Sequence, residues 1–286
     1  MISTPEHPDT TPPTPAPTPT HQPTPRLVAT DLDGTIVRGD GTVSARTVSA
    51  LMAVRASGAD FVLVTGRPPR LMAAIAAAFG HQGLAICSNG AFRYDLAREK
   101  VIGQSPIQAA QLAEAAKIMR RTVPGIGLAV EYADGVSADA LYEPWTWDQG
   151  VTVKRLPDDE LFAVPAPKLI GRHPTLSADE MLAMAGPALS RIVTPYHSNG
   201  LRLIEAVAAG VSKAAAVDAL AIERGIDSSQ VVAFGDMPND LPLLAWAGTS
   251  YGVANAHPNV LALVDHVIGS QDEDGVAEVL ERLFAL

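Results

Sequence analysis

Short apolar runs, each free of the polar alternation typical of a half-exposed strand, occur on both sides of a long central segment. Three precede residue 91 and two follow residue 207: RLVATD, FVLVT, LAICSNGA, VVAFGD and SYGVA. Stretches with helical periodicity alternate with them, and a last helix is expected from Gly275. Because strands without polar alternation are buried on both faces, this order predicts an α/β fold with a doubly wound, Rossmann-like parallel sheet.

The central segment, residues 91–207, has a different pattern. Hairpins are expected around Asp134-Gly135 and Asn199-Gly200, together with the helical stretches IQAAQLAEAAKIMRR and SADEMLAMAGPALSR. We interpret this segment as an inserted α+β domain. Residues 26–90 and 208–286 are then the two halves of one interrupted core domain.

The first 25 residues contain nine prolines and seven threonines and show no apolar periodicity. Such a segment cannot bury enough surface to offset the entropy lost on ordering, so a disordered tail is predicted. A docking segment for a partner is the alternative.

The net charge of −10 is concentrated near the C-terminus, where residues 208–286 contain 3 basic and 11 acidic residues. No basic face or arginine-rich helix is present, which argues against a nucleic-acid partner. An anionic ligand would therefore need a local counter-charge, and a bound cation is the natural candidate.

The longest apolar run, Leu71 to Phe79, is nine residues, too short to span a membrane. Cys87 is the single cysteine, which excludes an internal disulfide. The N-terminus lacks the basic start and apolar stretch of a secretion signal, so a cytoplasmic location is expected.

Two carboxylates follow the first apolar run in the stretch DLDGT. Asp31 and Asp33 alternate onto the same side of the chain, where both cannot be ionised comfortably without a cation. Gly34 allows a sharp turn and Thr35 supplies a donor, so this loop could hold a nucleophile and a general acid/base. A surface Asp-Gly turn is the alternative.

Three further stretches place polar groups at strand or helix ends. Thr65 and Gly66 in VTGRP offer a hydroxyl and a backbone N–H to a phosphoryl oxygen, and Lys213 begins a helix against the helix dipole. The oxygens of Asp236, Asn239 and Asp240 suit Mg²⁺. Taken singly, each stretch also fits an ordinary turn, a solvated lysine or a helix N-cap.

Taken together, DLDGT, TGRP, SK and GDMPND resemble motifs I to IV of the haloacid dehalogenase (HAD) superfamily, in the same order and on the expected elements. The SNGA stretch and the size of the insertion resemble the Cof-type, subfamily IIB members, in which a large α/β cap lies between motifs II and III. The resemblance spans about residues 26–286 and implies a HAD core with an inserted cap at 91–207.

The resemblance implies an Mg²⁺-dependent phosphatase that hydrolyses a small phosphorylated metabolite, such as a sugar phosphate, through an aspartyl-phosphate. Asp31 would be the nucleophile, Asp33 the general acid and base, and Thr65 and Lys213 the phosphoryl-binding residues. The implied metal set is Asp31, Asp33 through its backbone carbonyl, Asp236, and Asp240 as an orienting residue. The implied substrate-binding residues are Gly34, Thr35, Gly66, Arg67, Asn89 and Asn239.

Two other functions stay open: a phosphotransferase or phosphomutase that uses the same intermediate, and a non-catalytic ligand-binding protein that retains the fold. Asp33 argues against dehalogenation, because breaking a carbon–halogen bond needs no acid. The histidines show no paired spacing, so no zinc site is expected. His197 is interpreted as a solvent-facing turn residue, with contact to a substrate from the cap as the alternative. Cys87 is interpreted as a buried strand residue, and Trp145 and Trp147 as packing or pocket wall in the cap.

Overall fold

The computed structural model describes residues 24–197 and 202–286, so residues 1–23 of the predicted tail lie outside it. The strands are β1 (Leu27–Thr30), β2 (Asp60–Val64), β3 (Leu84–Cys87), β4 (Phe92–Asp95), β5 (Lys100–Gln104), β6 (Gly127–Glu131), β7 (Val136–Ala138), β8 (Lys154–Arg155), β9 (Lys168–Arg172), β10 (Val193–Tyr196), β11 (Leu203–Ala208), β12 (Val231–Gly235), β13 (Thr249–Val253) and β14 (His266–Ile268). The helices are α1 (Ala45–Ala56), α2 (Ala73–Ala78), α3 (Ala109–Thr122), α4 (Asp158–Leu161), α5 (Ala178–Leu189), α6 (Lys213–Glu223), α7 (Leu241–Trp246), α8 (Pro258–Leu261) and α9 (Gly275–Phe284).

An eight-stranded sheet in the order β14-β13-β12-β1-β2-β3-β4-β5 forms the core domain. Its strands from β14 to β3 are parallel, and β1 pairs with both β2 and β12. All four residues of β1 are fully buried, which requires cover on both faces of the sheet. Helices α1 and α9 pack together, as do α6 and α7. The predicted fold class is confirmed.

The core sheet extends further along the chain than the predicted boundary at residue 90. Strands β4 and β5 add to it antiparallel, beyond β3, so the core continues to Gln104. These strands have one exposed face: Phe92 and Tyr94 are buried, whereas Arg93 and Asp95 are partly exposed. Their polar alternation differs from that of the parallel strands, which explains why the pattern placed them in the insertion.

The inserted domain has its own six-stranded sheet, in the order β10-β11-β9-β6-β7-β8. Strands β6 and β7 form the hairpin predicted at Asp134-Gly135. The turn predicted at Asn199-Gly200 lies outside the described residues, and β10 and β11 on either side of it pair antiparallel. One face of the sheet packs on α3 and α5 through apolar residues such as Leu128, Leu169 and Ile204. In the part of the chain that the structure describes, no helix is long and apolar enough to cross a bilayer.

Candidate active site at the carboxyl ends of the core strands

The turn after β1 lies directly against the turn after β12. The Asp31 amide donates to the carbonyl of Phe234 at 3.0 Å, and Thr35 Oγ1 donates to Asp236 Oδ1 at 3.0 Å. Between them, Gly34 has a φ of +84°, and a Cβ at this position would lie 2.2 Å from Asp236 Oδ2. Glycine is therefore required for the two turns to approach this closely.

Lys213, the first residue of α6, links these turns from a fully buried position. Its Nζ donates to Asp31 Oδ1 at 2.5 Å and to Asp240 Oδ1 at 2.6 Å. Burial alone would lower the pKa of this ammonium, but the carboxylates of Asp240 and Asp31 outweigh burial and raise it. Lys213 is therefore a fixed positive charge beside Asp31.

Asp240 connects Lys213 to the turn that carries Asp236. Its Oδ1 accepts from the lysine, and its Oδ2 accepts the backbone N–H groups of Asp236 at 3.1 Å and Met237 at 3.0 Å. The Asp240 side chain is fully buried. Both of its oxygens are thus held by protein donors.

The carboxylates of Asp31, Asp236 and Asp240 form one buried cluster, with an oxygen of each lying within 4.8 Å of the others. If all three are ionised, the single charge of Lys213 leaves two negative charges uncompensated. Burial, followed by the charge of Asp240, raises the pKa of Asp236 to about 7, and burial also raises the pKa of Asp31 well above its ordinary range. Hard oxygen donors with this excess charge fit a divalent cation. The cluster could therefore bind a metal ion.

Asp33 is held by a different partner from Asp31. Arg67 donates from Nε to Asp33 Oδ2 at 2.8 Å and from Nη2 to Oδ1 at 2.5 Å. This two-bonded arrangement fixes the plane of the carboxylate. The Asp33 side chain is 40 % exposed, against 7 % for Asp31, so Asp33 faces the open side of the site.

The turns after β2 and β3 complete the arrangement. Thr65 is fully buried, and its Oγ1 accepts the backbone N–H of Arg67 at 3.0 Å. The Asn89 amide donates to the Thr65 carbonyl at 2.9 Å, and Asn239 Nδ2 donates to Asn89 Oδ1 at 2.8 Å. These contacts connect the turn after β2 to the turn after β12.

A model of the haloacid dehalogenase-like hydrolase family matches residues 28–280. The chain belongs to the haloacid dehalogenase-like hydrolases. It is 23 % identical over 286 residues to the 5-amino-6-(5-phospho-D-ribitylamino)uracil phosphatase YitU of Bacillus subtilis, covering 92 % of this chain and 98 % of YitU. It is 26 % identical over 281 residues to the pyridoxal phosphate phosphatase YbhA of Escherichia coli, covering 90 % of this chain and 98 % of YbhA.

Solved structures share the fold of this hydrolase. The phosphatase BT1666 from Bacteroides thetaiotaomicron superimposes with a TM-score of 0.77 at 23 % identity, over 95 % of this chain and 98 % of its own. The subclass IIB sugar phosphatase BT4131 gives a TM-score of 0.75 at 20 % identity, over 91 % and 100 % of the two chains. The predicted membership in the Cof-type IIB group and the predicted enzyme class, a HAD-type phosphatase, are confirmed.

One charged cluster in the hydrolase was not predicted from its sequence. Lys168 on β9, Glu131 on β6 and Glu205 on β11 are fully or almost fully buried on the face of the cap sheet that meets the core. Lys168 Nζ reaches the core, where it donates to the carbonyl of Gly66 at 3.0 Å. The sequence carries a weak signal, because Glu205 lies inside the otherwise apolar strand LIEAVA, whereas Lys168 begins β9 and Glu131 ends β6.

Four other residues singled out in the sequence are not members of the carboxylate cluster: Cys87, His197, Trp145 and Trp147. Cys87 is buried in β3, as interpreted. The interpretation of His197 as a solvent-facing turn residue is wrong: its side chain is buried, and its Nε2 lies 3.0 Å from Asp179 Oδ1. The rings of Trp145 and Trp147 pack at a centroid distance of 4.8 Å, and Lys168 Nζ lies 5.8 Å from the Trp147 ring.

Proposed function

We propose that this hydrolase removes the phosphoryl group of a small phosphorylated metabolite through an aspartyl-phosphate formed on Asp31, in a reaction that depends on Mg²⁺. The observation that carries the proposal is the environment of Asp31. Its carboxylate is buried at a strand end, in contact with Lys213, and clustered with Asp236. A pure binding site for a phosphate needs the lysine but gains nothing from a buried carboxylate, which repels the anion.

In the first step, a carboxylate oxygen of Asp31 attacks phosphorus while the bond from phosphorus to the leaving alkoxide breaks. Lys213 lies at Asp31 Oδ1, so its ammonium is placed to bind a phosphoryl oxygen as charge develops there. Thr65 directly follows the neighbouring strand β2, and we assign its hydroxyl to a second phosphoryl oxygen. Gly34 and Thr35 keep the nucleophile turn in contact with Asp236.

Asp33 is the proposed general acid and base. It protonates the leaving alkoxide, then takes a proton from the water that hydrolyses the aspartyl-phosphate. Arg67 fixes its carboxylate through two hydrogen bonds, and its exposed side gives access to the leaving group and to water. Asn89 and Asn239, joined by a hydrogen bond, are the proposed substrate-binding residues of the turns after β3 and β12.

We assign an Mg²⁺ ion to Asp31, Asp236 and the backbone carbonyl of Asp33. Bound there, it would neutralise phosphoryl oxygens and keep Asp31 ionised. Asp240 supports this site instead of ligating directly, because both of its oxygens already accept hydrogen bonds from Lys213 and from the backbone of the β12 turn. This proposal keeps the metal set implied by the resemblance, in which Asp240 is an orienting residue.

The substrate class follows from the relatives. They include phosphatases named for a ribitylaminouracil phosphate, for pyridoxal phosphate and for sugar phosphates. All of these are small phosphate monoesters, and we propose the same class for this chain. A panel of such esters, assayed by free phosphate release without an added acceptor, would identify the substrate and separate hydrolysis from transfer.

The decisive variant is Asp31→Asn, which keeps the shape of the side chain and removes the nucleophile. Turnover of p-nitrophenyl phosphate with Mg²⁺ is expected to fall by about 10³-fold or more. Mass spectrometry of acid-quenched wild-type protein should find one phosphoryl group on the peptide that contains Asp31. Asp60→Asn is the matched control, since Asp60 pairs with Arg224 at the amino end of β2. Full activity of Asp31→Asn would overturn the assignment, and inactive wild-type protein would favour a binding function.

A further inference from the structure

The ammonium of Lys168 donates across the boundary between the cap and the core. Within its own sheet it reaches Glu131 Oε2 at 2.8 Å and Glu205 Oε1 at 2.7 Å. An ammonium has three N–H donors, and the third goes to the carbonyl of Gly66 in the core at 3.0 Å. The two carboxylates already neutralise the lysine, so the contact with Gly66 serves the core and not the charge balance of the cap.

Gly66 lies between the two residues whose geometry the proposed reaction needs. The Arg67 amide donates to Thr65 Oγ1, which orients the hydroxyl, and the Arg67 guanidinium holds Asp33. A shift of the Gly66 peptide would therefore move both the hydroxyl of Thr65 and the guanidinium of Arg67.

Arg70, four residues after Gly66, forms hydrogen bonds with the cap at the other end of this segment. Its Nη2 donates to Glu131 Oε1 at 3.0 Å and to the Trp147 carbonyl at 3.1 Å, and its amide donates to the Ala133 carbonyl at 3.1 Å. Glu131 thus receives Arg70 from the core and Lys168 from the cap. The segment from Gly66 to Arg70 is therefore hydrogen-bonded to the inserted domain at both ends.

We propose that Lys168 is a positioning residue for the phosphoryl site: a side chain of the cap that sets the Thr65–Arg67 turn of the core. The inference rests on the proposed function, because it assigns Lys168 a part in that same reaction. It differs from recognition of the leaving group, since the lysine acts through the backbone of Gly66 and not on the variable part of a substrate.

The test removes the lysine together with one of its partners, so that no buried charge is left unpaired. In Lys168→Met/Glu205→Gln, Glu131 keeps Arg70 as its counter-ion. We expect kcat for p-nitrophenyl phosphate to fall and the inhibition constant of inorganic phosphate to rise, each by about tenfold or more. Inorganic phosphate has no leaving group, so its weaker binding reports on the phosphoryl site alone.

A matched control is Lys117→Met/Glu114→Gln, which removes an exposed charged pair of the cap helix α3 whose atoms lie 3.9 Å apart. It should leave kcat and phosphate inhibition unchanged. Hydrogen exchange gives a readout that is independent of activity: peptides covering residues 65–72 should exchange faster in the Lys168 variant than in wild type.

If the methionine variant does not fold, Lys168→Gln/Glu205→Gln replaces it, because a glutamine amide stops about 1.5 Å short of the position of Nζ. Unchanged phosphate inhibition with a raised KM would place Lys168 on the leaving group and overturn the proposal. So would unchanged exchange in residues 65–72. Absence of turnover in wild-type protein would instead contradict the proposed function.

Discussion

At Gly34 the turn that contains Asp31 approaches the turn that contains Asp236 too closely for a side chain. The Asp-Gly pattern predicted a sharp turn here. It did not predict that a Cβ at this position would meet Asp236, because Asp236 lies about two hundred residues away in the sequence. The pattern also placed Asp31 and Asp33 in one crevice, whereas the structure gives each its own cation, Lys213 and Arg67. Which cation pairs with which carboxylate depends on the packing of separate elements and not on local sequence.

Comparison of Gly34→Ala with Gly41→Ala separates the effect of the close approach to Asp236 from the effect of backbone strain. Both Gly34, at φ +84°, and Gly41, at φ +85°, have left-handed conformations, so alanine at either should cost about 1–2 kcal/mol of folding stability. Only the Cβ at position 34 would meet Asp236, since nothing lies within 4 Å of one at position 41. Phosphatase activity is expected to be lost in Gly34→Ala and kept in Gly41→Ala. Equal activities would show that the contact with Asp236 is not needed.

Lys213 lies in the first turn of helix α6, and the start of this helix therefore sets its position. Ser212 is the N-cap, and its Oγ accepts the Ala215 amide at 3.1 Å, so the position of the lysine depends on the start of the helix. Five of the six parallel strands were predictable because each is a short apolar run. Strand β14, three residues long with His266 and Val267 exposed, was not predicted, and neither were the four-residue helices α4 and α8. Strands β4 and β5 were misplaced because an edge hairpin with one exposed face has the same alternation as the hairpins of the cap.

Ser212→Ala should lower both stability and catalysis, because loss of the cap bond loosens the turn that carries Lys213. The expected cost is about 1 kcal/mol in the free energy of unfolding, measured in urea, with a severalfold drop in kcat. Ser177→Ala removes the equivalent cap of α5 in the inserted domain, where Ser177 Oγ accepts the Glu180 amide. It should cost a similar amount of stability with kcat unchanged. A kcat that stays at the wild-type value in Ser212→Ala would show that the N-cap of α6 is not needed for catalysis.

At the scale of the whole molecule, much of the acidity lies in residues 208–286, which supply Asp236 and Asp240 to the buried cluster. Sequence alone singled out the three carboxylates of this cluster, because two of the four short motifs, DLDGT and GDMPND, contain them. It did not identify the group that joins the cap to the core, because Lys168 meets Gly66 only after two separately folded sheets have docked. Contacts between domains leave no local periodicity in a sequence.

Metal binding should stabilise the whole protein, because it offsets the two uncompensated charges of the cluster. A ligand at a hundredfold excess over its Kd adds about 2.7 kcal/mol, which corresponds to a rise of several degrees in Tm. Mg²⁺ is expected to raise Tm and support turnover, and EDTA to reverse both. Asp236→Asn should abolish the Mg²⁺-dependent rise, while NaCl at matched ionic strength should not reproduce it. A Tm that does not change when Mg²⁺ is added would contradict the metal assignment.

The position of β1 at the centre of the core sheet has a consequence for biosynthesis. Its neighbour β2 emerges from the ribosome soon after it, but its other neighbour, β12, follows about two hundred residues later, after the entire inserted domain. During that interval the backbone N–H and C=O groups on one edge of β1 have no partner strand, and an unpaired edge is where nascent chains associate with one another. A chain halted within the insertion would contain Asp31, the proposed nucleophile, but neither Lys213 nor Asp236. Translation must therefore pass Asp236 before any catalysis can begin.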